Sequence, residues 1–301
     1  MAYSGYEAAA LADSATAVAS APALSLMGYA SAPAWSSPEN TADIDGVGYA
    51  GDFGYKKGRR EPTMSGSLLF TGALGCKNLL RSALRYDTTL ASARVNCLPL
   101  VSLLTGYAGT CGGSVEVVSG RYGMMEQATV TWAEGQIVRM SYQAQMLTLT
   151  TATTFAAPTP AAIIAAGGVP YAWHECAWTI QAGGVGTSGL DNILSSATLT
   201  ISNVIQRDGT RPDTGDSDPM SRAAYGMTAM KQSIRFEATT KNLPAYCDSI
   251  SCVMSDVGGT PAPTIITMSG VTRDSSSQSQ TQSDGRFEYP SSFKVAFVSI
   301  S

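Results

Sequence analysis

The sequence predicts a mainly β protein, an antiparallel β-sandwich or partly closed barrel with a flanking α-helix. Three observations predict it. Apolar and polar residues alternate with period two over long stretches, only one stretch carries strong helical spacing, and charge is scarce. Asp, Glu, Lys and Arg make up 14% of the 301 residues, against about 25% in an average globular chain. Ser, Thr, Gly and Ala take their place. This suits a strand-rich surface that is polar without being charged. The 44% hydrophobic share still leaves a chain of this length enough apolar side chain for a sizeable core.

Residues 1–62 are the least regular. An Ala-rich helix is expected near residues 5–20, followed by a segment rich in Pro, Ser, Gly and Tyr that ends in the basic run YKKGRREP. Its apolar residues are small and poorly periodic, so the whole reads as an N-terminal arm or loosely packed extension. The sandwich domain is placed over residues 63–301, with an insertion at about 148–192. SGSLLFTGAL reads as a strand. CKNLLRSALRYD carries Leu79, Leu80, Ala83 and Leu84 at helical spacing and is the best helix in the chain.

The next unit is a hairpin over residues 128–147, TVTWAEGQIVRMSYQAQM at its centre. Val130 and Trp132 alternate with Thr129 and Thr131, the chain reverses at 133–135, and Met140, Tyr142, Ala144 and Met146 alternate with Arg139, Ser141, Gln143 and Gln145. One face is greasy and the other polar. The insertion surrounds a short strand, YAWHECAWTI. A strand follows at 196–205, in which Leu199 and Ile201 alternate with Thr198, Thr200 and Ser202. The chain then spends residues 207–222 on Gly, Pro, Asp, Thr and Arg before MKQSIRFEATT restores the alternation. Polar connections of that length usually bind something or stay mobile. Two last strands, TIITMSG and FKVAFVSIS, flank the low-complexity loop TRDSSSQSQTQSDGRFEYPSS.

Most chemical readings fail on these residues. A net charge of −4 does not describe a nucleic-acid binder, which needs clustered Lys and Arg. No run approaches the ~20 apolar residues of a membrane-spanning helix. The opening residues lack a basic stretch followed by an apolar one, as a secretion signal has, which points to a protein made in the cytoplasm. The six cysteines are scattered and read as buried thiols; Cys247 and Cys252 lie close, but not at zinc spacing. GVGYAG matches a dinucleotide-type glycine pattern, yet no apolar strand precedes it and no helix pattern follows.

The one histidine, His174 in WHECAW, would have to carry any metal or Ser–His–Asp reading; neighbouring Trp173 and Trp178 make it a packed or loop histidine instead. The pairs Asp43/Asp45 and Asp216/Asp218 read as solvated turns rather than calcium loops. The basic run of Lys56, Lys57, Arg59 and Arg60 reads as a subunit contact or solvated turn. No catalytic residue, cofactor or metal is assigned.

The order of a strand–helix–strand core, a long hairpin with an AEG turn, the strand ATLTISNVIQRDG with its long polar loop, and IRFEATT resembles the major tail tube protein of long-tailed bacteriophages. The resemblance covers about residues 64–301 and rests on order and texture. The first sixty residues and the 148–192 insertion have no counterpart in it. It implies a β-sandwich whose copies form hexameric rings, stacked into a hollow tube that conducts DNA without specific binding. The subunit would be a virion structural protein, assembled in a bacterial cytoplasm and partnered by itself and by other tail proteins at the tube ends.

On this reading the 207–222 excursion docks on a neighbour. It would do so through Arg207, Asp208, Arg211, Asp213, Asp216, Asp218 and Arg222, with the basic run of Lys56, Lys57, Arg59 and Arg60 as a second contact. The N-terminal arm and the 275–292 loop are candidates for the same job. Gln143, Gln145, Ser233 and Glu237 are candidates to face the lumen, where a wall poor in clustered cations lets DNA slide. A minor tail, head–tail joining or capsid-decorating protein is the alternative. A β-sandwich binding module or a hydrolase centred on His174 is a third.

Overall fold

The computed structural model describes residues 5–12, 25–28, 34–45, 52–85, 98, 100–108, 115–152, 169–182, 185–188, 194–208, 211–212, 222–223, 226–241, 247–255, 263–274, 281–283 and 286–301. The described chain is mainly antiparallel β with one α-helix, Leu74–Ser82, and a short 3-10 turn at Trp173–Glu175. Two sheets meet face to face, and no closed barrel forms among the described strands.

The larger sheet is organised by one strand, Val115–Ala133. Its second half pairs with Arg139–Gln145 on one side and Leu194–Asp208 on the other. Beyond these lie Thr63–Leu69 and Ala34–Ser36 in one direction, and Gly226–Thr240, Arg286–Lys294 and Thr272–Arg273 in the other. Its first half instead pairs with Leu100–Ala108 and Thr148–Ala152. The strand changes partners near Tyr122, whose φ is +54. Gly120 and Gly123 flank that point because Met64 and Met146 pack onto their backbone; a Cβ on Gly120 would stand 2.5 Å from the Met64 sulfur.

The smaller sheet runs Val185–Ser188, Cys176–Ala182, Ser249–Met254, Thr264–Ser269, Phe297–Ile300. The strand foreseen inside the 148–192 segment is therefore an interior strand of this sheet. The inner faces share one core. At its centre Trp132 of the large sheet meets Trp178 of the small one edge to face, ring centroids 5.3 Å apart. Phe236 packs at a tilt against Trp178, centroids 5.8 Å apart, and against Phe293 at 6.2 Å. The period-two reading of the hairpin holds: Val130, Trp132, Met140, Tyr142, Ala144 and Met146 are all buried.

The helix begins two residues earlier than CKNLLRSALRYD suggests, where the Thr71 hydroxyl accepts the N–H of Ala73 at 3.2 Å. It stops before Ala83, whose carbonyl is taken by side chains from the sheet (below).

Four expectations are corrected. Residues Gly5–Ala12 form a strand, not a helix: they pair over eight positions with Leu100–Ala108 and also meet Ser25–Gly28. Tertiary pairing outweighs the helix propensity of alanine. FKVAFVSIS is two strands. Val295 donates its N–H to Ile234 of the large sheet, whereas the next residue, Ala296, donates to Ser269 of the small one, so the chain changes sheets across one peptide bond.

The low-complexity loop is partly strand, at Thr272–Arg273, Thr281–Ser283 and from Arg286 onward; residues 275–280 lie outside the described residues. Asp43, Asp45 and the basic run are not turns. They lie on paired strands, Glu39–Asp45 and Asp52–Arg60.

Candidate functional site: a polar sheet face and a two-stranded ribbon

The outer face of the large sheet is predominantly polar. Strand register lines its side chains up in rows. One row runs Ser67, Ser141, Thr129, Thr200, Arg235, Lys294 across six strands. The next runs Arg139, Thr131, Thr198, Glu237 and ends at the buried Ser292, and a third runs Ser65, Gln143, Gln127, Ser202, Ser233. Antiparallel partners directly opposite share a face, so these hydroxyls and amides form one continuous polar wall.

Its charges are mixed. Lys231, Arg139, Arg235 and Lys294 are exposed. Against them stand Glu237, Glu126 (which accepts from Gln143 at 3.0 Å) and Asp274 (3.9 Å from the Lys294 ammonium). Of the predicted lumen residues, Gln143, Ser233 and Glu237 are exposed here. Gln145 is half-buried and already engaged.

The described residues of the long polar excursion continue a hairpin. Leu194–Asp208 pairs with Gly226–Thr240 as far as Asp208 opposite Gly226, and Arg211–Pro212 pairs with Arg222–Ala223 beyond. Partnership with the rest of the sheet stops at Ser202 opposite Gln127. A bulge at Val204/Ile205 follows. From there the hairpin runs on as a two-stranded ribbon.

Arg207 sits on this ribbon and reaches back to the body. Its Nε donates to Gln145 Oε1 at 3.1 Å, Nη1 to the Arg60 carbonyl at 3.3 Å, and Nη2 to the Pro62 carbonyl at 2.7 Å. Arg85 ties the other strand, donating to the carbonyl of Ala229. The structure thus brings together Arg207, Arg60 and Gln145, which the sequence had placed in separate groups.

The remaining predicted contacts are spread out. Asp208 ends the ribbon strand, and Arg211 and Arg222 lie on the short pair beyond it. Lys56, Lys57 and Arg59 lie on Asp52–Arg60, with Lys56 opposite Ala42 and Lys57 opposite Thr41. Asp213, Asp216 and Asp218 lie outside the described residues, as does the whole of GVGYAG.

Asn203 and Gln232 were not foreseen. Asn203 is buried, and its Nδ2 donates to the carbonyls of Ala83 at 2.9 Å and Met125 at 3.0 Å. Gln232 donates to Ala83 at 2.7 Å and to Asn203 Oδ1 at 2.8 Å. The only trace in the sequence is an amide standing at a core position of an otherwise apolar register: Ala197, Leu199, Ile201, Asn203.

Reactive groups are placed for packing. Cys76, Cys176, Cys247 and Cys252 are free and buried. Burial pushes the Cys76 thiol up to about 12, despite hydrogen bonding from Thr71. It also raises Cys247, where burial and then Asp248 act together. A raised thiol is a poor nucleophile. His174 is exposed on the 3-10 turn. Among the described residues no three His, Cys, Asp or Glu side chains cluster to hold a metal, and no helix is long and apolar enough to cross a membrane.

Compared with known proteins, the chain matches no family model and no curated protein.

Proposed function

We propose that this protein is a structural subunit of a virion, assembling into stacked hexameric rings that form the hollow tail tube of a long-tailed bacteriophage. The observation that carries the reading is the polar wall. An extended sheet face of in-register hydroxyls and amides, on which the opposed cations Arg235 and Lys294 have Glu237 and Asp274 beside them, offers a passing polyanion few cations to grip. A lining for moving DNA needs that property. The ribbon supports the same reading, since two strands that run beyond their sheet neighbours are marginal alone and suited to contacts with another subunit.

Function on this reading lies in ring closure, stacking and an unreactive channel, with no active site and no cofactor. The virion tail is the place of action, other tail proteins meet the tube ends, and DNA passes without specific binding. Electron microscopy of the purified protein is the test. Hollow rods of uniform diameter are expected, in high copy number per particle. Monodisperse monomers under all conditions, including with an initiating tail-tip complex, would count against it. A ring of one or a few copies per particle would point to a joining protein instead.

A further inference from the structure

We propose that the ribbon formed by residues 204–208 and 226–231 is latched onto its own chain by Arg207 and Arg85, and that opening this latch limits the rate of assembly. The inference rests on the self-assembly reading above.

Past Ser202 the Leu194–Asp208 strand loses its neighbour in the sheet and, among the described residues, pairs only with its hairpin partner. Two strands without a third have little stability in water, so the ribbon's position depends on side chains that tie it down. Among the described residues both strands have such a tie, and in each a guanidinium donates to main-chain carbonyls. Arg207 reaches outward from the ribbon to Arg60 and Pro62, and Arg85 reaches in from the body to Ala229. Hydrogen bonds with one ionised partner are the stronger kind. Because the acceptors are carbonyls, the tie holds at any pH at which the protein is folded.

The Arg207 acceptors mark where the strand Asp52–Arg60 hands over to Thr63–Leu69. Pro62 also accepts the N–H of Met146 at 2.8 Å, so this anchor point is itself fixed to the large sheet. Further out, Arg222–Ala223 runs alongside Asp52–Arg60, with Cα atoms within 8 Å. The ribbon is thereby committed to a segment of its own chain. While it lies there, it is not available to a sister copy. A ligand or partner shifts such an equilibrium only by its preference for the open form, so weakening the closed form speeds capture.

The experiment compares wild type with Arg207→Gln, Arg85→Gln and the double variant, using amide hydrogen exchange of the 204–208 and 226–230 segments and light scattering of rod growth. Arg207→Gln is expected to speed exchange of both segments at least tenfold while leaving the 128–147 hairpin protected, and to shorten the lag before rod growth at least tenfold. Arg207→Lys, a point charge without the planar fork, should fall between.

Unchanged exchange would overturn the latch. Faster exchange with an equal or longer lag would overturn its control of assembly. If neither wild type nor variants form rods with an initiator present, the tube reading fails and the gating claim with it, while exchange still judges the tie itself.

Discussion

The side chain of Asn203 donates to the carbonyl oxygen of Ala83 at 2.9 Å, across 120 residues of sequence. This bond joins the end of the helix to the middle of the large sheet, and Gln232 doubles it from the adjacent strand at 2.7 Å. A buried amide with every partner in place gives a modest net gain, but removing one partner exposes the full cost of the others. Asn203→Ala leaves the Met125 carbonyl without this donor and is expected to cost about 2 kcal/mol. Asn203→Asp places a carboxylate against two carbonyls and is expected to cost about 3 kcal/mol or more. Urea unfolding monitored by circular dichroism measures both. Equal stability of wild type and Asn203→Asp would refute the network.

Trp178 is the chief contact between the sheets, touching both Trp132 and Phe236. Trp178→Ala is expected to lose about 3–5 kcal/mol and most of the near-ultraviolet circular dichroism. Trp178→Phe keeps an aromatic ring against Phe236 and is expected to lose less than half as much. A near-ultraviolet spectrum unchanged by Trp178→Ala would contradict the face-to-face packing.

Two glycines separate conformational strain from crowding. Gly135 has φ +73, in the hairpin turn, and nothing would lie within 4 Å of a Cβ there. Gly135→Ala therefore meets only the left-handed backbone penalty, about 1 kcal/mol. Gly270 has φ +63, and its Cβ would come 2.7 Å from that of Ala296, at the point where the chain changes sheets. Gly270→Ala is expected to cost about 2–4 kcal/mol, strain and overlap combined. Thermal melts of the two variants side by side give the comparison, and Gly135→Ala proving the worse would reverse the assignment.

Cys76 predicts alkaline behaviour. Its thiol ionises near 9.0 when unfolded but only near about 12 when folded. Between those values the folded state holds a proton that the unfolded state has lost, so stability falls as pH rises through this window. The limiting slope is about tenfold in the folding equilibrium per pH unit. Below pH 9 the group contributes no slope. Cys247, raised by burial and then by Asp248, acts in the same direction. Denaturation midpoints measured from pH 8 to 11 should drop more steeply in wild type than in Cys76→Ala. Parallel curves would show that the thiol does not carry the effect.

Much of this protein is legible in its sequence because alternation has a local cause. A residue on a half-buried strand sees core or solvent according to parity alone. Residues 128–147 and 233–240 could therefore be assigned face by face, and the buried and exposed side chains follow that assignment. The helix carrying Leu79 and Leu80 was legible for the same reason, at a different period.

What the tertiary structure alone decided are the relations that carry no local signature. GYEAAALA favours a helix by propensity, yet an eight-residue register with Leu100–Ala108 makes it a strand. FKVAFVSIS has one uninterrupted apolar pattern, yet it serves two sheets, because adjacent peptides at Val295 and Ala296 find partners on different layers. Arg207 reads as one more polar residue in a loop, and becomes a tie only where Arg60, Pro62 and Gln145 converge on it. Period and composition fix which side of an element is buried. Which elements meet is set by long-range hydrogen bonding, and a one-dimensional pattern does not encode it.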